Sequence, residues 1–146
     1  IARKYEVVDG VISSSNAIIA NSLFKLGHYY ADKNYLNISE QMLNNLKEDV
    51  KKNPANYSNW LNLMTNFTKP FYEVVVAGNA AATVNKRLIN KYYPNILIAG
   101  THKENNTLPL LAYKFNEDET FIYVCVNGTC KRPETSFKKA IANIKK

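Results

Sequence analysis

Near residue 70 the apolar pattern of this chain changes period, and that switch restricts it to folds that join a helical part to a small sheet. Upstream, apolar residues recur every three or four positions. Ile19, Leu23, Leu26 and Tyr30 make one stripe, preceded by the capping candidates Ser15 and Asn16. Ile38, Met42, Leu46 and Val50 make a second, and Tyr57, Trp60, Leu61, Met64 and Phe67 a third. Asn53-Pro54 marks the start of the third helix, a capping side chain followed by proline at the first helical position. Gly27 weakens the first helix slightly and permits a close neighbour.

Downstream, "YEVVVAGN" (72–79), "NILIAGTH" (95–102) and "TFIYVCV" (120–126) are short β-branched runs, the pattern of buried strands. Val84, Leu88, Ile89 and Tyr92 place a helix between the first two, stopped by Pro94. Strand, helix, strand at this spacing predicts a right-handed crossover and a parallel pair. "TSFKKAIANI" (135–144) predicts a closing helix capped by Thr135, and "LPLLAY" within the loop 102–119 a short extended piece. The expected fold is α+β: three helices over 1–69, then a small, mainly parallel three-stranded α/β layer over 70–146.

At 146 residues, with 46% apolar and 21% charged residues, the composition is that of a globular chain rather than a disordered one. No apolar run approaches the ~20 residues of a membrane helix, and no signal peptide is visible, so a reducing cytoplasm is the expected setting. The chain begins on Ile1 without a methionine, and it reads as a piece of a longer protein. The net charge of +7 is unevenly placed, +2 over 1–69 and +5 over 70–146. The lysines form no long cluster, so scattered solvated cations are expected rather than a nucleic-acid surface.

Three places in the sequence carry candidate chemistry. Cys125 and Cys130 are separated by four residues that include Asn127-Gly128, the strongest two-residue hairpin signal. In a type I′ turn the two cysteines face each other and a bridge is geometrically possible. Without a helix N-terminus to lower a thiol pKa, reduced and non-catalytic thiols are expected in a cytoplasmic protein. One C-x4-C arm and two separate histidines, His28 and His102, do not make a metal site. The strand ends Gly78-Asn79 and Gly100-Thr101-His102 stand where open α/β layers bind ligands, although tight turns alone account for the glycines. Without a G-x-G-x-x-G or P-loop pattern, neither a nucleotide nor any other cofactor is expected. Finally, Asp9-Gly10 precedes Ser13, Ser14, Ser15 and Asn16 at a helix start, and capping explains at most two of these polar side chains.

These stretches resemble the C-terminal end of the thioredoxin-domain-containing family that includes the spermatogenesis-associated thioredoxin-like protein. Asp9, Gly10, Ser14 and Asn16 match a D-G-x-x-P-S-x-N pattern, with Ser13 in place of the proline. Tyr35-Leu36, Glu40-Gln41-Met42-Leu43, "EVVVAG", "LPLL" and "YVCVNGTCKRP" follow in the family's order. The resemblance implies a thioredoxin-like domain upstream and a six-hairpin α/α toroid of glycosidase type, whose last helices would be those of residues 1–69. It further implies that Asp9, Ser14 and Asn16 line a carbohydrate-type pocket. The alternative is a structural and interaction module that contacts the thioredoxin-like domain or a client protein. Its partners on either reading are the rest of a parent chain, a sugar or a protein, with no nucleic acid and no membrane. A piece of such a toroid is expected to self-associate.

Overall fold

The computed structural model describes residues 5–144, which separate into two compact units. One comprises the chain up to Gly27 together with Asp32–Lys69. The other comprises His28–Ala31 and the chain from Pro70 onward, so the last turn of the first helix belongs with the sheet.

The helical unit contains most of α1 (Ser15–Tyr30), then α2 (Lys33–Asn44), α3 (Lys47–Lys52), a 3-10 turn (Pro54–Tyr57) and α4 (Ser58–Thr68). The expected second helix is thus two. It breaks at Asn44-Asn45, two weak helix formers in succession. α3 then forms separately, with Glu48 and Asp49 in its first turn and Lys51 and Lys52 in its last, each complementing the helix dipole. α1 buries Ala17, Ala20 and Phe24, whereas Ile19 and Leu26 of the expected stripe are exposed. Small residues win this face because they let the neighbouring helices approach. The Ser39 hydroxyl of α2 donates to the Ala20 carbonyl at 2.8 Å. Asn21 Nδ2 donates to the Asn59 carbonyl of α4 at 3.2 Å. A Cβ on Gly27 would meet Leu36 of α2 at 2.6 Å. Phe24 meets Phe67 edge-on at 4.8 Å, and Trp60 and Leu63 complete this core.

The other unit is built on β1 (Tyr72–Ala77), β2 (Ile96–Thr101), β3 (Phe121–Val126) and β4 (Thr129–Cys130), in the order β2-β1-β3-β4. β1 and β2 are parallel, joined through α5 (Ala81–Ile89) as the crossover predicts, while β3 is antiparallel to β1 and β4 antiparallel to β3. The sheet is therefore four-stranded and mixed rather than a mainly parallel three-stranded layer, and the described residues of 1–69 hold four α-helices rather than the expected three, so that expectation is corrected. The reason lies in the connection. Residues 102–120 contain no helix, so nothing carries the chain back over the sheet for a further parallel strand. "LPLLAY" is a run of turns in this loop rather than an extended piece. The closing helix α6 (Phe137–Ala142) begins after Ser136, one residue beyond the expected cap Thr135.

Alternation along the strands gives the sheet two different faces. Tyr72, Val74, Val76, Ile122 and Val124 pack against Ala81 and Leu88 of α5 and Ala140 of α6. The register places Glu73, Val75 and Ala77 on the opposite face with Leu97, Ala99 and Cys125. Residues of α1's last turn and of the long loop bond to this part of the unit. Tyr29 donates its hydroxyl to the Ile98 carbonyl at 3.1 Å and accepts at its own carbonyl from Leu110 N–H at 3.2 Å. Tyr123 donates to the Lys114 carbonyl at 3.0 Å.

Candidate functional site

The polar cluster at the start of α1 is a joint between two helix N-termini. One carboxylate oxygen of Asp9 accepts the Ser14 N–H at 2.9 Å, and the other accepts the Asn59 N–H, in the first turn of α4, also at 2.9 Å. The Ser58 hydroxyl adds a contact of 3.5 Å. Burial pushes the Asp9 carboxyl up, but the hydrogen bonds from Ser14, Asn59 and Ser58 outweigh it and hold the pKa below the usual 3.8. Ser14 is almost fully buried, and its hydroxyl accepts the Ala17 N–H at 3.2 Å, which makes it the cap of α1. Asn16 sits inside the first turn and donates its amide to the Glu6 carbonyl at 2.7 Å. Ser13 accepts from the Asn59 amide at 3.0 Å. All of these groups are engaged with neighbouring backbone or with one another.

The two strand ends are adjacent, with Ala77 beside Thr101 and the Gly78 N–H donating to the Thr101 carbonyl at 3.0 Å. Gly78 has φ +134°, and a Cβ there would lie 2.5 Å from the Thr120 Cα. The loop before β3 closes over this turn. Thr120 Oγ1 accepts the Ala80 N–H at 2.9 Å, and the Asn79 amide donates to the Glu117 carbonyl at 3.0 Å. Gly100 carries no side chain where Asn85 of α5 crosses β2. His102 is exposed on the following turn.

The most concentrated chemistry lies elsewhere, on the Glu73 face of the sheet. Glu73, a charged residue inside a β-branched run, is only 3% exposed. Its Oε1 is 2.7 Å from His28 Nδ1, and its Oε2 accepts the Gly128 N–H at 2.9 Å. His28 is itself buried and lies against Phe71, ring centres 5.0 Å apart. Lys114 is near enough to feel the Glu73 charge. Burial pushes its ammonium below the ordinary lysine pKa, and Glu73 pulls it part of the way back. Its Nζ is 6.0 Å from the Tyr123 ring, whose hydroxyl burial pushes above the usual 10.

Glu73 also stands directly opposite Cys125 in the β1–β3 register. Cys125 and Cys130 are joined in a disulfide, Cα atoms 3.8 Å apart, so the expectation of two reduced thiols is corrected. Asn127 (φ +50°) and Gly128 (φ +75°) form the anticipated turn. In that register Val126 faces Thr129 and Cys125 faces Cys130, with the next hydrogen bond from Lys131 N–H to the Val124 carbonyl at 3.1 Å. The cysteines thus occupy a pair with no ladder bond between them, where side chains come closest. Cys125 is buried and Cys130 exposed. The sequence signal for the His28–Glu73 pair was the glutamate in "YEVVVA", since a buried carboxylate requires a partner.

A groove of about 480 Å³ between α5 and α6 is lined by Arg87, Lys91, Lys138 and Phe137, with the Arg87 guanidinium 4.2 Å from the Phe137 ring centre. No group of three or more metal-ligating side chains forms among the described residues, and no helix there is long and apolar enough to cross a membrane. No family model matches the chain, and neither does any curated protein or solved structure.

Proposed function

We propose that the helical unit is a structural and protein-interaction module, and that its partner is an apolar helical surface of another protein or protein segment. The observation that carries this is the inverted face of α1. Ala17 and Ala20 are fully buried, whereas Ile18 and Ile19 are 54% and 51% exposed and Leu26 is 39% exposed. Val11 and Ile12 precede them, also exposed, and on α2 Tyr35 and Ile38 are exposed as well. Aliphatic residues at this spacing form a ridge of the kind that fits the groove of a second helix. Lys25 is the sole Lys or Arg in α1, so the helix lacks the basic flanks of one that lies on an anionic membrane. The resemblance to the thioredoxin-domain-containing family agrees with such a partner, either in the same parent chain or as a client. A cytoplasmic setting belongs to this reading. The sugar-pocket alternative would need free acceptors on Asp9, whose two carboxylate oxygens both hold backbone N–H groups.

The test uses the protein's own exposed face. At high concentration the wild type is expected to self-associate in sedimentation experiments and to bind a hydrophobic dye. Ile18→Lys with Leu26→Lys should abolish both, with stability within about 0.5 kcal/mol of wild type because the sites are on the surface. A monomeric wild type that binds no dye overturns the reading.

A further inference from the structure

On the other unit, we propose that the Cys125–Cys130 disulfide is a reducible thiol–disulfide site for an external dithiol, in which the Glu73–His28 pair beneath it supplies a proton to the departing Cys125 sulfur. Three observations meet in one hairpin. The bridge joins an exposed cysteine to a buried one. Glu73 is the ladder partner of Cys125, and such partners have Cβ atoms about 4.5–5.5 Å apart. The carboxylate is tied on one side to His28 and on the other to Gly128, in the turn that the disulfide closes.

The asymmetry of exposure fixes the direction of attack. A thiolate reaches Sγ of Cys130, forms a new sulfur–sulfur bond, and breaks the Cys130–Cys125 bond, whose electron pair goes to Sγ of Cys125. A thiolate left there would face the Glu73 carboxylate in a buried site, and like charges at that range strongly favour protonation. The nearest proton is the one held between His28 Nδ1 and Glu73 Oε1. Glu73 passes it to sulfur and His28 replaces it, so the pair gives up one proton and Cys125 becomes a neutral thiol. The second thiol of the reductant then attacks the mixed disulfide and releases Cys130. Two electrons move from the dithiol to the protein, and the reductant leaves as a disulfide. Titratable groups from the elements around this side include Lys114 from the loop, Tyr123 from β3 and Tyr29 from the last turn of α1. Glu73 is the proton donor, and His28 acts through it.

The experiment follows reduction of the full chain by dithiothreitol, read as alkylated thiols by mass spectrometry, from pH 5 to 9. After correction for the reductant's thiolate fraction, the wild-type rate should fall as pH rises, because the step consumes a proton. Glutathione should be trapped as a mixed disulfide at Cys130 and not at Cys125. Glu73→Gln, checked for native far-ultraviolet circular dichroism, should slow reduction at least about tenfold at pH 7 and flatten the profile. A flat corrected profile in wild type overturns the proposal without recourse to any variant. So does trapping at Cys125, a folded Glu73→Gln that reduces at the wild-type rate, or reduction that occurs only under denaturing conditions.

Discussion

Asp9 is one acidic residue that serves two helices, and its protonation state governs both. Its folded pKa is depressed, so the stability it contributes is fully present above the unfolded value of 3.8 and is lost as pH falls through the folded value. Asp9→Asn keeps one acceptor oxygen and loses the other, so at pH 7 it should lower stability by about 1–2 kcal/mol. The gap between wild type and variant should then close in urea melts below about pH 4, near the ordinary carboxyl range. A gap that stays constant down to pH 2 would show that Asp9 does not titrate between these caps. Asn16 carries a different expectation. It donates to the Glu6 carbonyl rather than accepting as a cap, so Asn16→Asp should lose about 0.5–1.5 kcal/mol, although aspartate at a true cap would be harmless. The sequence shows that this stretch begins a helix, but not which polar residue accepts and which donates. That assignment depends on Asn59, about fifty residues away in the chain.

At the scale of elements, the three long strands were legible because β-branched runs end on glycine or asparagine, and the α5 crossover fixes one parallel pair. What sequence reasoning missed was the partner of β3. A strand after a helix-free loop can join either edge of a sheet, and only the burial of Cys125 and Val124 against β1 decides it. The helical face of α1 was misread for a related reason. Periodicity favours large apolar residues, whereas the packed face here sets Phe24 among Ala17, Ala20 and Gly27, small residues that gain by close approach rather than by area. The tightest element junction is the turn from β1 into α5. Gly78→Ala puts a Cβ against the backbone of Thr120 and Glu119 at a φ that L residues rarely adopt. It should cost roughly 2 kcal/mol or more, measurable as a lowered denaturation midpoint. Gly128→Ala meets no atom within 4 Å and is strained only by its φ of +75°, so it should be clearly milder.

For the whole molecule, chain order and compact unit do not coincide, because His28–Ala31 belongs with the strands. A cut between Lys69 and Pro70 follows the change in apolar period, yet it removes Tyr29 and His28 from the unit they help to close. The strand half would lose the bonds from Tyr29 to Ile98 and from Leu110 to Tyr29. More seriously, Glu73 would keep the Gly128 N–H but lose its imidazole partner. Removing one partner leaves the other buried group unsatisfied, at about 1–3 kcal/mol and more for a charged group, a large share of all the stability a core of this size supplies. Residues 70–146 alone are therefore expected to show no cooperative thermal transition. Glu73→Leu in the same fragment replaces the orphaned carboxylate with an apolar side chain of similar volume and should recover part of the transition, since a buried pair exchanged for apolar residues is often neutral or stabilising. If residues 70–146 melt cooperatively with Glu73 intact, then the last turn of α1 is dispensable, and the His28–Glu73 bond is not what allows a glutamate to sit in the middle of this sheet.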